Sequence, residues 1–206
     1  MKDMTFITKI EVTPMNDPFF LLVGPSGCGK TTVAETLAKN YGYPTVESYT
    51  TRPKRYESET GHIFLTESQF DELENIVAYT TYNGFRYCTT KDQLNLVSTY
   101  VVDLPGVETL LQNYQTDRPI VIFYFDSTVT TRIDRMIDRH DCDTAIVGRL
   151  HNDEAFDWYG KLDHIVWHYT NIEHRDVELY KINANKNKEE VLEMVLYYME
   201  QYEEGC

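Results

Sequence analysis

The stretch from residue 19 to residue 32 constrains the fold more than any other part of the sequence. It opens with five apolar residues, typical of a strand buried on both faces, and continues with a glycine-rich turn and the start of a helix. Gly24 and Gly29 lie five positions apart and precede Lys30 and Thr31, as in the pattern G-x-x-x-x-G-K-[ST]. Glycines let the backbone turn so that successive N–H groups face an anion. The stretch predicts a phosphate-binding loop rather than a turn that merely joins a strand to a helix.

The same pattern predicts what individual residues bind. In it the lysine contacts the β and γ phosphates of a nucleotide, and the following hydroxyl faces Mg²⁺. We therefore expect Lys30 to bind the phosphates of a nucleotide, which a family resemblance carried by further motifs identifies as ATP, and Thr31 to serve as a ligand of Mg²⁺, the expected cofactor. A helix predicted over about 30–41 adds the positive end of its dipole. The residues expected to bind ATP are Gly24, Ser26, Gly27, Cys28, Gly29, Lys30, Thr31 and Thr32.

Length and charge limit the domain count and the partners. A chain of 206 residues suits one domain with a well-formed core. The formal net charge of −14 argues against a surface for nucleic acid or for an anionic membrane, so we expect neither as a partner. An anionic ligand must then be held by local basic clusters. The two candidate clusters are Arg52, Lys54 and Arg55, and Arg132, Arg135, Arg139 and Arg149.

The cysteines and the apolar runs indicate the cellular compartment. The four cysteines form no C-x-x-C pair and have no metal-like spacing with histidine, which favours a reduced, cytoplasmic protein. No apolar run reaches the length of a membrane span, and the first residues lack the apolar core of a signal peptide. Residues 1–17 form an N-terminal extension, either an extra edge strand or a loose leader. Both interpretations stay open.

Strands and helices alternate along most of the chain. This alternation predicts an α/β fold with a doubly wound parallel sheet. For the last strand the sequence offers 164–169 or 177–182, and we prefer the second because an acidic helix over 188–203 follows it. We expect Val129, Ile133, Met136 and Ile137 to face inward from the helix over 128–139. The other predicted elements are strands over 99–103 and 119–125 and helices over 106–115 and 145–157.

A small β-rich lobe is predicted between elements of the sheet. Asn83-Gly84 is the strongest hairpin signal in the sequence, and β-branched and aromatic residues over 76–82 precede it. A return strand over 85–87 and a short strand over 62–65 complete the pattern. Pro53 disfavours helix at Arg52, so the basic segment before the hairpin is expected to be a loop or the end of a strand that displays its basic side chains.

Four motifs in this order resemble guanylate kinase and, more broadly, the nucleoside monophosphate (NMP) kinases. They are the phosphate loop, Ser-x-Thr-Thr-Arg-Pro-x-Arg from Ser48, Asn-Gly-x-x-Tyr from Asn83, and a strand that ends in Asp-x-x-Gly-Val from Asp103. The resemblance covers about residues 19–150. It implies one guanylate-kinase-like domain over 1–206, with an inserted NMP-binding lobe and a helical lid. The implied limits are a core of 18–47, 91–134 and 150–206, a lobe of 48–90 and a lid of 135–149.

The resemblance also implies an acceptor site. Arg52 and Arg55 would bind the acceptor phosphate in bidentate fashion, with Tyr87 donating to the same group. Ser48 and Thr89 match hydroxyl contacts to guanine. Asp103, which ends a strand where ligands bind in open α/β sheets, matches an acid near the nucleotide and the metal. The remaining expected NMP-binding residue is His62, which stands nearest to the family's second phosphate-binding tyrosine.

Three arginines resemble the lid arginines of that family. Arg135 and Arg139 lie four residues apart on one predicted helix, and Arg149 follows a polar segment. Cations that close over a transferring phosphoryl group stabilise its charge, so these three join Lys30 as the expected catalytic residues. The alternative is a surface helix in which Asp134 and Asp138 pair with its arginines.

The resemblance predicts an ATP-dependent NMP kinase that acts on GMP, dGMP or a related monophosphate. One departure affects the base. Where the family has a glutamate that accepts hydrogen bonds from guanine, this chain has Ala78. A different base is therefore one alternative, and a catalytically inactive guanylate-kinase-like interaction module is another, although the intact Gly29-Lys30-Thr31 argues against it. The sequence leaves open whether the protein is a monomer or a homodimer.

Overall fold

The computed structural model describes residues 17–55, 57–154 and 157–203. The predicted edge strand or leader before residue 17 therefore lies outside the described residues, as does Cys206. The strands are β1 (Phe19–Val23), β2 (Ser48–Thr50), β3 (His62–Phe64), β4 (Ile76–Tyr82), β5 (Phe85–Thr90), β6 (Thr99–Val101), β7 (Ile120–Asp126) and β8 (Val177–Asn183). The helices are α1 (Lys30–Asn40), α2 (Glu67–Asp71), α3 (Lys91–Leu94), α4 (Leu104–Asn113), α5 (Val129–Asp138), α6 (Asp143–Glu154), α7 (Trp158–Asn171) and α8 (Lys188–Glu203).

A parallel sheet with strand order β6-β1-β7-β8 forms the centre of the fold. All five residues of β1 are buried, and successive side chains face opposite layers. Phe19 and Leu21 pack with α4 and α7, whereas Phe20 and Leu22 pack with α1 and α8. The predicted α/β fold with a doubly wound parallel sheet is confirmed. The preferred last strand is β8, and the rejected segment 164–169 lies inside α7.

A second sheet with order β3-β2-β5-β4 spans residues 48–90. Its β4–β5 hairpin turns at Asn83 and Gly84, which have φ angles of 51° and 78°. Positive φ at both central residues is what a two-residue type I′ turn requires, and Asn-Gly supplies it. The β-rich character of this segment agrees with the predicted lobe. The limits of lobe, lid and core stay a prediction.

Helix α5 differs from its predicted packing. Met136 is buried and Ile133 is half-buried, but Val129 is 45% exposed and Ile137 is 54% exposed. The expected inward direction of those two residues was wrong. A buried arginine, Arg132, occupies the inward face instead, because this face lies against the polar phosphate loop rather than against the apolar core.

The carboxyl end of the central sheet positions the loops of interest. The chain leaves β1 directly into residues 24–29, and β6 and β7 flank β1 on either side. Ligands of open α/β sheets bind at this edge. Among the helices in the described part of the chain, none is long and apolar enough to cross a membrane.

Candidate functional site

The phosphate loop connects the end of β1 to the start of α1. The ammonium group of Lys30 donates hydrogen bonds to the carbonyl oxygens of Gly24 (2.6 Å) and Pro25 (2.9 Å). The lysine therefore lies against the loop itself, where its charge faces the loop's own oxygens. Since these carbonyls are weaker partners than a phosphate dianion, an incoming polyphosphate would attract the ammonium group away from them.

A first cavity of about 520 Å³ lies on one side of the loop and is named here the donor cavity. Arg135 on α5 lies beside it, donating to the carbonyl oxygens of Cys28 (3.0 Å) and Lys186 (2.9 Å). Most of the predicted ATP-binding residues line this cavity, together with two of the predicted lid arginines. The lining residues are Gly27, Cys28, Gly29, Lys30, Thr31, Thr32, Val33, Arg135, Asp138, Arg139, Asn187, Lys188 and Val191.

A second cavity of about 610 Å³, the acceptor cavity, opens on the other side of the loop. Lys30 lines both cavities, so the two meet at its side chain. Gly24 and Ser26, which were predicted to bind ATP, face this second cavity. The lining residues are Gly24, Ser26, Lys30, Ser48, His62, Thr80, Thr81, Tyr82, Asn83, Tyr87, Tyr100, Val101, Val102, Asp103, Pro105, His151, Asn152, Asp153 and Trp158.

Ser48, His62 and Tyr87 come together at one end of the acceptor cavity. The Oγ of Ser48 lies 2.9 Å from Nδ1 of His62, and the ring centroids of His62 and Tyr87 are 5.7 Å apart. Burial, followed by the nearby Arg52 guanidinium, lowers the pKa of His62. The imidazole is therefore neutral at pH 7 until an anion compensates for the surrounding positive charge.

Arg52 and Arg55 are held by a carboxylate that sequence reasoning missed. Glu59 accepts hydrogen bonds from Nη2 (2.8 Å) and Nη1 (3.2 Å) of Arg52 and from the backbone N–H of Arg55 (2.6 Å). The Glu59 side chain is 6% exposed, whereas that of Arg55 is 57% exposed. Glu59 thus fixes Arg52 beside His62 and leaves the guanidinium of Arg55 accessible. An acid within a basic loop was the only signal that the sequence offered.

Arg52 and Arg149 lie close enough to Arg55 to affect its pKa, although none of the three arginines lines the acceptor cavity. Although more than half of the Arg55 side chain is exposed, partial desolvation lowers its pKa, the neighbouring charges of Arg52 and Arg149 lower it further, and Glu59 opposes the shift. Like charges at close range are unfavourable without an anion between them. In the structure Glu59 compensates Arg52 and Arg55, and Asp141 compensates Arg149, so a phosphate would have to replace these carboxylates as the partner of the arginines.

Arg139, another of the three predicted lid arginines, shares the carboxylate of Asp141 with Arg149. Arg139 pairs with Asp141 (Nε to Oδ2, 2.8 Å), and Arg149 pairs with the same carboxylate. The side chain of Arg139 is 49% exposed and lines the donor cavity. The alternative in which Asp134 and Asp138 pair with the lid arginines is not what the structure has, because Asp141 holds Arg139.

Asp103 lies at the floor of the acceptor cavity, where β6 leads into α4. Its Oδ1 accepts from the N–H of Gly106 and its Oδ2 from the hydroxyl of Thr80, each at 2.9 Å. Burial raises the pKa of Asp103, although these two hydrogen bonds and Lys30 oppose that shift. The carboxylate is thus oriented by its neighbours toward the cavity end of the sheet.

Four predicted acceptor positions, all among the described residues, are not part of the acceptor cavity lining, namely Thr89, Ala78, Arg52 and Arg55. Thr89 is fully buried and donates its hydroxyl to that of Tyr100 at 2.9 Å. Ala78 is 1% exposed. Within the described part of the chain, Tyr100 lines the acceptor cavity, whereas Thr89 and Ala78 do not.

The expected Mg²⁺ ligands have suitable chemistry. Mg²⁺ prefers oxygen ligands and is commonly bound through one or two protein oxygens together with substrate phosphates. The exposed hydroxyl of Thr31 lies in the donor cavity and the carboxylate of Asp103 in the acceptor cavity, on either side of Lys30. Within the described ranges no group of three His, Cys, Asp or Glu side chains could hold a metal ion by itself.

A buried ion pair at the loop was also missed from sequence. Asp153 on α6 accepts from the backbone N–H of Ser26 (2.9 Å) and from Nη1 of Arg132 (2.8 Å). Burial raises the pKa of Asp153, and these two donors oppose the shift. Arg132 was noted only as one member of a basic cluster. Since Asp153 follows Arg132 by 21 positions, no local spacing could have indicated the pair.

Comparisons with known proteins indicate the fold of the chain. Residues 19–94 match a family described as an AAA domain, whereas no curated protein matches the sequence. The guanylate kinase from Anaplasma phagocytophilum is similar in structure, with a TM-score of 0.52 and 14% identity over 90% of this chain and 85% of that chain. A sugar kinase from Janibacter sp. HTCC2649 gives a TM-score of 0.48 and 14% identity over 89% of this chain and 95% of that chain. The chain has the fold of a P-loop kinase.

Proposed function

We propose that this protein is a phosphotransferase that moves the γ-phosphoryl group of ATP to a nucleoside monophosphate. The observation that carries the proposal is the meeting of two cavities at Lys30, one lined by the phosphate loop and the other by polar and aromatic side chains. A transferase needs both substrates on opposite sides of the group that moves, with charge stabilisation where they meet.

On the donor side the loop amides and Lys30 bind the triphosphate. Lys30 exchanges the carbonyl oxygens of Gly24 and Pro25 for phosphate oxygens. Thr31 is the expected first ligand of Mg²⁺, which when bound would neutralise charge on the phosphates. Arg135 and Arg139 line the same cavity and add positive charge beside the transferring group.

On the acceptor side the two ends of the cavity differ in chemistry. Tyr87 and His62 lie beside Arg52 and Arg55, and these residues suit the acceptor phosphate. The rest of the lining includes three further aromatic side chains, Tyr82, Tyr100 and Trp158, among polar ones. Aromatic walls favour a flat heterocycle over a sugar alone, and this favours a nucleotide as the acceptor.

Transfer requires positioning rather than a general base. The acceptor phosphate is already an anionic nucleophile, so charge neutralisation and alignment supply most of the catalysis. Arg149, a predicted lid residue near Arg55, would stabilise the charge of the equatorial oxygens. Closure of the lid would also exclude water as a competing acceptor.

The acceptor base has few candidate hydrogen-bond partners in the cavity. Asp103 with Thr80 supplies oxygens that accept hydrogen bonds, as N–H groups of guanine would require. Ala78 in place of the family's glutamate removes a further acceptor, and a lost partner costs roughly 1–3 kcal/mol. A non-guanine or deoxy acceptor is therefore the second candidate.

A coupled assay with ATP, Mg²⁺ and a panel of ribo- and deoxynucleoside monophosphates tests the proposal. We expect turnover with at least one monophosphate and none in Lys30→Ala, with Lys39→Ala on the exposed face of α1 as the matched control. A folded protein that transfers phosphate to no member of the panel would contradict the proposal. If adding ATP also leaves the melting temperature of such a protein unchanged, the result would instead indicate a protein-interaction module.

A further inference from the structure

Asp153 joins three elements at the phosphate loop. Its Oδ2 accepts from the backbone N–H of Ser26 and from the guanidinium of Arg132, and its Oδ1 lies 3.4 Å from the hydroxyl of Ser26. Both side chains of the ion pair are buried, at 6% and 7% exposure. One carboxylate thus connects the loop, α5 and α6.

The two helices that carry this pair also carry the arginines of the proposed transfer site. Arg132 precedes Arg135 by three positions on α5, and Arg149 precedes Asp153 by four positions on α6. Residues at these spacings lie on the same helix face. A displacement of Asp153 would therefore move Arg149, and a displacement of Arg132 would move Arg135.

The loop is shaped to receive α5 closely. A Cβ at Gly27 would lie 2.8 Å from the carbonyl oxygen of Arg132, a distance that side chains do not tolerate. The glycine thereby lets the backbone of α5 approach the loop at the level of the ion pair. The loop, α5 and α6 are packed as one unit around this contact.

Stability alone does not explain a charged pair at this position. Desolvation offsets most of what a buried ion pair gains, and apolar replacements of similar size are often as stable or more so. Asp153 also lines the acceptor cavity beside Lys30, where an unpaired carboxylate would repel a phosphate. Arg132 neutralises the carboxylate, so Asp153 can hold the loop through the Ser26 amide without adding net negative charge beside the phosphate.

From these contacts we infer that Asp153 is a positioning residue of the transfer reaction, holding Ser26 and, through α5 and α6, the arginines Arg135 and Arg149 in register with the phosphate loop. The inference rests on the proposed function for its kinetic consequence. Its structural consequence, a fixed Ser26 amide, is independent of activity.

The kinetic test compares Asp153→Asn with Glu154→Gln, the same chemical change at the exposed neighbouring position. Misplacement of catalytic groups by about 1 Å costs on the order of 100-fold in rate. For Asp153→Asn we expect kcat to fall by a factor between about 10 and 100 while the KM values for ATP and acceptor change little. Glu154→Gln should retain the wild-type kcat. The apolar double variant Arg132→Met with Asp153→Leu should stay folded and show the same loss of kcat.

The structural test follows the Ser26 amide by ¹H–¹⁵N NMR and hydrogen exchange. In Asp153→Asn the amide should shift and exchange faster, and in Glu154→Gln it should not. If the wild type transfers phosphate and Asp153→Asn does so equally fast, or binds ATP more tightly without loss of kcat, the inference is overturned. If the wild type transfers to no acceptor, the proposed function fails, and an unchanged Ser26 amide in Asp153→Asn would then overturn the inference separately.

Discussion

Glu59 determines where two arginines of the proposed acceptor site point. It holds the buried guanidinium of Arg52 with two hydrogen bonds and the backbone of Arg55 with a third. Replacing it by glutamine removes the charge that compensates Arg52 and one of the two equivalent oxygens. We expect Glu59→Gln to raise the KM for the acceptor about 10-fold or more, since hydrogen bonds to charged groups contribute roughly 1.5–3 kcal/mol.

Steady-state kinetics with each substrate varied in turn measures this effect. The KM for ATP should stay the same, because Glu59 lies at the acceptor side of the loop. Glu57→Gln is the control, since Glu57 belongs to the same segment and is exposed. An equal rise of both KM values would indicate a general loss of structure instead of a local one.

The same carboxylate gives a pH dependence of stability. Burial acts to raise the pKa of Glu59, but the hydrogen bonds from Arg52 and Arg55 outweigh burial, and the pKa lies below its ordinary value. A group with a depressed folded pKa contributes stability above its unfolded pKa, near 4.3, and loses it as the pH falls through the folded pKa. We expect the free energies of unfolding of wild type and Glu59→Gln to differ at pH 7 and to converge in acid, as measured by urea titrations. A difference that stays constant with pH would contradict this.

Residue-level prediction from sequence succeeded where a motif fixes the spacing. The phosphate loop follows from such a motif, whereas Ser48, which was expected to contact the base, lies beside His62 and Tyr87, which were expected to bind the acceptor phosphate. Glu59 and Asp153 were missed because a single carboxylate carries no spacing signal, and its partner is determined by tertiary packing. The roles of all these residues in binding stay predictions.

Among the elements, the β4–β5 hairpin offers a matched test of local geometry. Gly84 has a φ of 78°, and a Cβ there would meet nothing within 4 Å. Gly148 lies inside α6 without a positive φ, and its Cβ would also be in open space. We expect Gly84→Ala to destabilise the protein by roughly 1 kcal/mol, because the left-handed region is unfavourable for alanine. Gly148→Ala should stabilise it by roughly 0.5–1 kcal/mol through helix propensity.

Chemical denaturation of both variants measures the two effects, which have opposite signs for the same added methyl group. Equal effects would mean that volume, not backbone conformation, determines the outcome.

The hairpin was predictable because Asn-Gly encodes its turn locally. The packing of α5 was not, since its apolar periodicity does not reveal that its inner face meets the phosphate loop and buries Arg132.

For the whole molecule, the sequence predicted the sheet because buried strands and amphipathic helices alternate within short distances. It did not predict how α6 meets the second sheet. Asn152 on α6 donates to the side chain of Asn83 in the hairpin at 2.8 Å, and this contact joins segments 69 positions apart. Such long-range pairs close the acceptor cavity, and no local pattern records them.

The last prediction concerns the stability of the whole chain with ligand. A ligand that binds only the folded state at about 100 times its Kd stabilises it by about 2.7 kcal/mol. In a protein of this size that corresponds to a rise of roughly 5–10 °C in Tm. We expect MgATP to produce such a rise in the wild type and in Lys39→Ala, because Lys39 lies in the last turn of α1, away from the loop. In Lys30→Ala the rise should vanish, because the ammonium group that leaves Gly24 and Pro25 for the phosphates is gone. Differential scanning fluorimetry over a range of ATP concentrations measures the shift, and an undiminished rise in Lys30→Ala would show that the phosphate loop is not where the triphosphate binds.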